Sequence, residues 1–262
     1  MGGRHEESEY FFANGRAIDT SRYFVIVANM LGNGYSISPN NTPGSIRAGN
    51  FPLVTVYDNV RCQRLLITEH LAIQRLRLVT GFSMGAQQSY QWRAMHSNMI
   101  DTIVPICGAT RIVKHNHIFI EGYYEIPPVR GLLTFGHVYA AWLFSQYFFR
   151  ETLYEQLNFT SREDVVRFTQ KYFLANDANN LIAMAQTWVA MDISANPLYK
   201  GNFEAALKGT TCKAIVMLSD SYLYFRVTDN EYEVSHVSNA TIRPIASKWR
   251  HAAGFGIDTK DN

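Results

Sequence analysis

The chain has 262 residues, of which 47% are hydrophobic and 18% charged, so it is long enough for one domain with a large buried core. A net charge of +2 is too small to indicate binding to nucleic acid or to an anionic membrane, and no apolar run reaches a membrane-spanning length. Three widely spaced cysteines form neither a metal-ligand pattern nor a disulfide framework: Cys62, Cys107 and Cys212. We therefore expect reduced core thiols, no metal site and a cytoplasmic location.

Short apolar runs that alternate with helical patterns predict an α/β fold with a mostly parallel sheet and helices on both faces. The predicted strands are residues 23–29, 76–81, 102–107, 214–218 and 241–246. Residues 54–71 form the clearest predicted helix. Its apolar positions recur at helical spacing: Val56, Val60, Leu65 and Leu71.

The decapeptide L-R-L-V-T-G-F-S-M-G, at residues 76–85, carries a G-x-S-x-G motif. An apolar run stops at Gly81, and the segment after the motif has the composition of a helix. This strand–turn–helix context is that of a nucleophile elbow, which presents the hydroxyl of Ser83 to a base. The turn is too tight for large side chains, so glycine is expected on both sides, at Gly81 and Gly85. The N–H of Met84, at the helix start, is then placed to stabilise an oxyanion.

Four segments together resemble one family. They are R-Y-F-V-I-V-A-N-M-L-G-N-G-Y-S-I-S-P (22–39), F-P-L-V-T-V-Y-D-N-V-R-C-Q-R-L-L (51–66), G-F-S-M-G-A-Q-Q-S-Y-Q-W (81–92) and D-I-S-A-N-P (192–197). The resemblance is to the branch of α/β hydrolases that contains the homoserine O-acetyltransferases and their hydrolase-like relatives, and it covers nearly the whole chain. The elbow reads S-M-G-A-Q-Q where the true transferases have S-M-G-G-M-Q, which favours the hydrolase-like side.

Between about residues 110 and 207 the sequence is helical in pattern, dense in aromatic residues and without strand runs. On the resemblance, this segment is a helical cap inserted into the α/β-hydrolase fold. The chain therefore divides into a first part of the core with the elbow (1–109), the cap (110–207) and the last strands with the histidine loop (208–262). We expect most cap aromatics to pack the cap onto the core; lining an apolar substrate pocket is the alternative.

The resemblance places the histidine of a catalytic triad at His251. The segment S-K-W-R-H-A-A-G, residues 247–254, is similar to the family's S-x-W-G-H-x-A-G. This loop follows the last predicted strand, as the chain order Ser, Asp, His of this fold requires. Arg250 stands where the family commonly has glycine, a difference expected to crowd or reposition the loop.

The acid of the triad departs from the family pattern. The family has Asp just before L-Y-F-P-P, whereas this chain reads M-L-S-D-S-Y-L-Y-F-R-V and has Tyr222 at that position. Asp220 lies two residues earlier, and residues i and i+2 of an extended stretch point to the same side, so Asp220 is a candidate partner of His251. Asp229 and Glu231 are further candidates, and the remaining alternative is that no acid is present.

The chain opens with M-G-G-R-H, which resembles the G-G-T-H segment after the third strand of the family. On this resemblance the first three strands are absent, and Gly2 and Gly3 remain of a loop that donates an oxyanion N–H. The third strand would lie between the strands predicted at 23–29 and 76–81. We therefore expect these two to pair directly, and the isolated chain to oligomerise or to be poorly soluble. The same amino-acid sequence would result from a short protein, from a truncated gene product or from a misassigned start codon.

Two functions follow from these patterns. The first is a serine-dependent hydrolase or O-acyltransferase, in which Ser83 attacks an ester or thioester carbonyl and His251 accepts its proton. Water or an alcohol such as homoserine would be the acceptor. The implied partner is a small-molecule acyl ester or thioester, by family analogy one of secondary metabolism. Acyl-CoA is an alternative acyl donor, and no other cofactor is implied.

The second function is that of a catalytically impaired relative that acts as a binding or interaction protein. Tyr222, Arg250 and the missing strands motivate it. The true transferases bind the carboxylate of their amino-acid substrate through an arginine near the site. Arg93 and Arg111 are the two arginines considered for this role, and we expect both to be surface or structural residues.

Overall fold

The computed structural model describes residues 4–121 and 128–256. In this part of the chain the sheet has four parallel strands, which lie in their order along the chain. They are β1 (Leu76–Phe82), β2 (Ile100–Ile106), β3 (Lys213–Val216) and β4 (Ala240–Ile242). The predicted α/β fold with a parallel sheet is confirmed, and four of the five predicted strands are present.

The remaining predicted strand, at residues 23–29, is wrong, because these residues form neither a strand nor a helix. Phe24 is 79% exposed, whereas Ile26 and Met30 pack into the main core. The expected pairing of this segment with β1 is absent too, since within the described residues β1 pairs with β2 alone. An apolar run becomes a strand only when a second backbone lies about 4.8 Å away, and the local sequence does not determine that distance.

Helix α1 (Val56–Leu65) confirms the first part of the helix predicted at 54–71 and continues into one π-helical turn, Leu66–His70. A capping box starts the helix. The Thr55 hydroxyl accepts from the Asp58 N–H at 3.2 Å, and the Asp58 carboxylate accepts from the Thr55 N–H at 3.0 Å.

The predicted apolar face of this helix is only half correct. Val56 and Val60 are buried, but Leu65 and Leu71 are exposed. The π-helical turn has more residues per turn than an α-helix and rotates the face that points to the core, so Ile67 is the buried residue there.

Helix α2 (Met84–His96) starts directly after the elbow and packs against β1, β2 and α1. Most of its residues are buried, so it is a central helix of the core rather than a surface helix with one apolar face. A 3-10 turn, Ser97–Met99, leads from it into β2.

The described residues between β2 and β3 form helices. They are α3 (Lys114–Glu121), α4 (Pro128–Leu143), α5 (Gln146–Arg150), α6 (Arg162–Leu174), α7 (Ala178–Val189) and α8 (Phe203–Lys208). One further helix, α9 (Val227–Ser235), connects β3 and β4. The helical segment has the position expected of the cap, and we keep the boundaries at 110 and 207 as a proposal. Among the helices described, none is long and apolar enough to cross a membrane.

Aromatic side chains attach this helical segment to the rest of the protein. Phe144 and Phe148 stack with their ring centroids 3.9 Å apart, and Phe148 lies 5.2 Å from Trp249 in the loop predicted to carry the base. Trp142 stacks on Tyr224 at 4.7 Å. The predicted packing role is confirmed for these residues.

Candidate active site

The candidate nucleophile occupies a strained turn between β1 and α2. Ser83 follows Phe82 directly and caps α2. Its φ of 57° and ψ of −117° are a backbone conformation that residues with a Cβ rarely adopt. Its N–H donates to the Ile106 carbonyl at 2.9 Å, which ties the turn to β2. The predicted strand–elbow–helix geometry is therefore confirmed, and the turn is held by the sheet rather than by its own residues.

The two glycines of the motif have different reasons to be there. A Cβ at Gly81 would overlap the backbone of Gly85, so a side chain at position 81 is incompatible with the turn. A Cβ at Gly85 would meet no atom within 4 Å. The expectation that steric crowding requires both glycines is therefore correct for Gly81 and wrong for Gly85.

The helix start behind Ser83 provides backbone donors. Met84 is the first residue of α2, where N–H groups have no partner within the helix, and its side chain is buried. Such N–H groups and the positive end of the helix dipole favour an anion. Gly3, the other residue expected to donate to an oxyanion, lies outside the described residues.

The loop that carries His251 packs directly on the elbow. His251 lies in the 3-10 segment Arg250–Phe255 after β4 and is 2% exposed. Its ring centroid is 4.4 Å from that of Phe82, the residue before Ser83. At Gly254 a Cβ would overlap the Phe82 ring, so glycine is what permits this close approach. The fold thus brings His251 against Phe82, the residue before Ser83, although the two are 169 positions apart in the chain.

Two tyrosines complete the surroundings of the imidazole. The ring centroids of Tyr222 and Tyr224 lie 5.2 and 5.3 Å from that of His251. Burial lowers the pKa of His251 well below its usual value, so the ring is neutral at physiological pH. Sequence reasoning missed Phe82 and Tyr224 as neighbours of the base, although Phe82 lies inside the G-x-S-x-G motif.

The structure does not join Asp220 to His251. The Asp220 side chain is exposed, and its Oδ1 accepts from the Ser247 N–H at 3.3 Å. The Nδ1 atom of His251 is buried and has no hydrogen-bond partner within the described residues. Residues 220 and 221 form a turn, so the alternation of an extended strand, on which the expectation rested, does not apply there.

The other candidate acids also lie apart from the histidine. Asp229 is in the first turn of α9, and Glu231 is an exposed residue of the same helix. Asp220 instead borders an open surface cavity of about 580 Å³, together with Ser247 and Lys248. No carboxylate of the described residues is therefore hydrogen-bonded to the base.

Arg250 keeps the backbone conformation for which glycine is suited. Its φ is 57°, in the left-handed region, and its Nη1 donates to the Ala141 carbonyl at 2.8 Å. The side chain thus fixes the histidine loop to α4.

Both arginines considered for substrate binding are engaged elsewhere. Arg93 is buried and donates to the carbonyls of Cys212 and Ser238. Arg111 forms an ion pair of 2.7 Å with Asp192. Both are structural residues, as expected.

The cysteine prediction is correct for two of the three residues. Cys107 and Cys212 are buried, whereas Cys62 is exposed on α1. Among the described residues there is also no group of three or more histidine, cysteine, aspartate or glutamate side chains that could hold a metal ion.

Comparison with known proteins places the chain among esterases and acyltransferases. A family model for the alpha/beta hydrolase fold matches residues 2–190. An ethyl acetate hydrolase from Pseudomonas veronii is 32% identical over 269 residues, which cover 96% of this chain and 76% of that protein. A homoserine O-acetyltransferase from Trichormus variabilis is 27% identical over 268 residues, 93% of this chain and 73% of that protein.

A solved structure agrees with these sequence matches. An acetylester hydrolase from Corynebacterium glutamicum superimposes with a TM-score of 0.93 at 29% identity, covering 98% of this chain and 78% of the other. The same elements therefore occur in the same arrangement over almost all of this chain. The chain belongs to the α/β-hydrolase fold family, as an esterase-like enzyme similar to acetyl esterases and to homoserine O-acetyltransferases.

Proposed function

We propose that this enzyme hydrolyses acyl esters of small molecules, with Ser83 as nucleophile and His251 as base. One contact carries the proposal: the His251 ring lies on Phe82, the residue immediately before Ser83, with 4.4 Å between ring centroids. The strained turn at Ser83 and the helix start behind it supply the other requirements, a presented hydroxyl and backbone donors.

The reaction follows from these positions. The Ser83 oxygen bonds to the carbonyl carbon while its proton moves to the imidazole of His251. The Met84 N–H stabilises the negative charge that develops on the carbonyl oxygen. The alcohol leaves with the proton of the imidazolium, and an acyl-serine remains. Water then gives a proton to His251 and attacks the acyl group. The acid is released when the Ser83 oxygen leaves and takes that proton back from the imidazolium.

Burial has two opposite effects on the catalytic role of His251. Because burial lowers the pKa of His251 well below its usual value, the imidazole is neutral and able to accept a proton. The same burial disfavours the imidazolium that forms during the reaction. Catalysis therefore depends on what surrounds this ring.

Water is favoured over an alcohol as the acyl acceptor. Arg93 and Arg111 hold structural partners, so neither is available to bind the carboxylate of an amino-acid acceptor. The elbow reads S-M-G-A-Q-Q, and relatives named as esterases match almost the whole chain. Acyl-CoA as a donor and substrates of secondary metabolism rest on family analogy.

The test is covalent capture of the nucleophile. A fluorophosphonate probe is expected to label the folded protein at Ser83, and Ser83→Ala is expected to lose both the label and the hydrolysis of p-nitrophenyl acetate. Ser89→Ala is the matched control, since Ser89 lies on the same helix and its hydroxyl donates to the Gly85 carbonyl. Labelling that persists in Ser83→Ala would remove Ser83 from the mechanism.

A binding protein without catalysis is the second candidate function. Among the described residues Nδ1 of His251 has no hydrogen-bond partner, which favours this function, because replacing the acid of a serine-protease triad lowers kcat about 10⁴-fold. The same experiment separates the two functions. A wild-type protein that is folded by circular dichroism, yet neither labelled nor active, would support the binding protein.

A further inference from the structure

Aromatic rings enclose the imidazole of His251. The Phe82 ring lies nearly parallel to it, with 4.4 Å between centroids and 30° between planes. Tyr222 and Tyr224 lie at 5.2 and 5.3 Å, at steeper angles of 67° and 54°. Both tyrosines are buried, at 7% and 1% exposure. The ring of the base is therefore in a dry, aromatic environment built from the elbow and from the segment after β3.

A histidine base needs a fixed ring orientation and stabilisation of its protonated form. In a triad, a carboxylate hydrogen-bonded to Nδ1 supplies both. Here Nδ1 of His251 has no hydrogen-bond partner in the described part of the chain, and the Asp220 carboxylate accepts from the Ser247 N–H instead. Orientation of the His251 ring and stabilisation of its protonated form must therefore come from groups other than a hydrogen-bonded carboxylate.

Aromatic rings can supply part of both the fixed orientation of the imidazole and the stabilisation of its protonated form. A cation that lies over the face of an aromatic ring, within about 6 Å of its centroid, is attracted by the negative charge of that face. This attraction favours the cation by about 2-fold at exposed sites and about 30-fold at desolvated ones. All three ring centroids lie within that distance of His251, and the site is desolvated. Packing against several rings also restricts rotation of the imidazole.

We propose that Tyr222 is a positioning residue for His251. Together with Phe82, its ring holds the imidazole in place and stabilises its protonated form, in the position where related enzymes carry a carboxylate. This inference rests on the proposed roles of Ser83 and His251. It makes the protein an esterase whose base is supported by aromatic rings, and it expects the reaction to be slower than with a triad acid.

Two substitutions separate the ring of Tyr222 from its hydroxyl. Tyr222→Phe keeps the ring and is expected to retain kcat within about twofold. Tyr222→Leu removes the ring and is expected to lower kcat about tenfold with little change in KM. Phe173→Leu is the matched control, because Phe173 is a buried aromatic residue of α6 that packs against Phe135 and Tyr139. A large loss of kcat in Tyr222→Phe, or none in Tyr222→Leu, would overturn the proposal.

The titration of His251 provides a readout that a merely structural role would not change. In ¹³C-labelled protein the pKa of His251 is expected to fall by about half a unit to one unit in Tyr222→Leu and to stay constant in Tyr222→Phe. Tyr224, another titratable side chain packed against the ring, is unchanged in both variants. This titration does not need an active enzyme, so it tests the inference even where fluorophosphonate labelling fails and the proposed function falls.

A carboxylate placed beside the ring gives a third measurement. Tyr222→Asp is expected to raise the pKa of His251 by one unit or more and to raise kcat, because an adjacent negative charge stabilises the imidazolium. Asp220→Asn is expected to leave kcat unchanged. An unmoved His251 pKa in Tyr222→Asp would show that this side chain does not act on the imidazole. A loss of kcat by orders of magnitude in Asp220→Asn would assign the acid to Asp220 and contradict the proposal.

Discussion

Three non-glycine residues near the candidate site have a positive φ. The angle φ is 57° at Ser83, 56° at Cys107 and 57° at Arg250. A residue in such a sparsely populated conformation costs roughly 1–3 kcal/mol, so surrounding contacts must hold it. The N–H of Ser83 donates to Ile106, and the N–H of Cys107 donates to Met217 at 2.7 Å.

Glu233, which lies away from the candidate site, is a buried carboxyl group with a raised pKa. It lies on α9 at 6% exposure, and its Oε1 accepts from the Thr110 N–H at 3.0 Å. Its Oε2 has no hydrogen-bond partner among the described residues. Burial raises the pKa of this carboxyl from 4.5 to about 7, against the hydrogen bond from Thr110, which lowers it. The folded protein therefore binds a proton that the unfolded chain releases near pH 4.5.

This difference predicts a dependence of stability on pH. Because the folded state binds more protons than the unfolded state between pH 4.5 and 7, the free energy of unfolding falls as pH rises through that range, by roughly 3 kcal/mol in total. Glu233→Gln keeps an acceptor for the Thr110 N–H and removes the charge. We expect this variant to be more stable than the wild type at pH 8 and similar to it at pH 4.

Urea unfolding at both pH values measures the effect. Glu231→Gln is the matched control, because Glu231 is exposed on the same helix. Equal pH dependence in wild type and Glu233→Gln would show that Glu233 does not carry the proton.

At the scale of secondary-structure elements, close approaches between backbones decide the packing. The longest helix of the cap region, α4, crosses α6 so closely that a Cβ at Gly136 would lie 2.6 Å from the Cα of Gln170 and 2.8 Å from its nitrogen. Aromatic side chains on the same two helices, Phe135, Tyr139 and Phe173, form a cluster beside this crossing. Glycine is thus what lets α4 and α6 pack at short range.

We expect Gly136→Ala to destabilise the protein, by up to about 2 kcal/mol. Overpacking costs typically 1–3 kcal/mol, and it outweighs the gain of about 1 kcal/mol that alanine brings to a helix interior. Gly49→Ala serves as control, since a Cβ there would meet no atom within 4 Å. Denaturant unfolding measures both variants. A Gly136→Ala protein as stable as the wild type would mean that the two helices can separate without cost.

At the scale of the whole molecule, the edge of the sheet at β1 and the chain before α1 leave many apolar side chains uncovered. Exposed large hydrophobic residues of this region include Tyr23, Phe24, Ile37, Leu53 and Leu78. In the described residues β1 pairs with β2 alone, so its other edge is open. Open strand edges and exposed apolar groups both favour self-association.

We expect residues 1–262, expressed alone, to form oligomers or to aggregate. Phe24→Lys combined with Leu78→Lys is expected to increase the monomer fraction, because charges on an edge oppose pairing. Ile118→Lys is the control, since Ile118 is equally apolar and 76% exposed but lies on α3. Size-exclusion chromatography with light scattering measures the mass. A monodisperse wild-type monomer with a sharp thermal transition at high temperature would contradict this expectation.

Neighbouring residues in the sequence account for those parts of the protein whose causes are local. The elbow could be predicted because an apolar run, Gly81 and a following helix all lie within a few residues of Ser83. The capping box at Thr55 is local in the same way, because its partner Asp58 is only three positions away. His251 could be placed because its loop has a similar sequence in related proteins, and its position against Phe82 agrees with that placement.

The other features of the site depend on contacts between residues that are distant in the chain, so they could be seen only in the folded structure. Residues 23–29 are as apolar as a strand, yet form none, because a strand requires a second backbone at hydrogen-bonding distance. Asp220 is close to Tyr222 in sequence, but a turn directs its carboxylate to Ser247. The rings around His251 come from segments 140 residues apart, and no local pattern encodes such a distance.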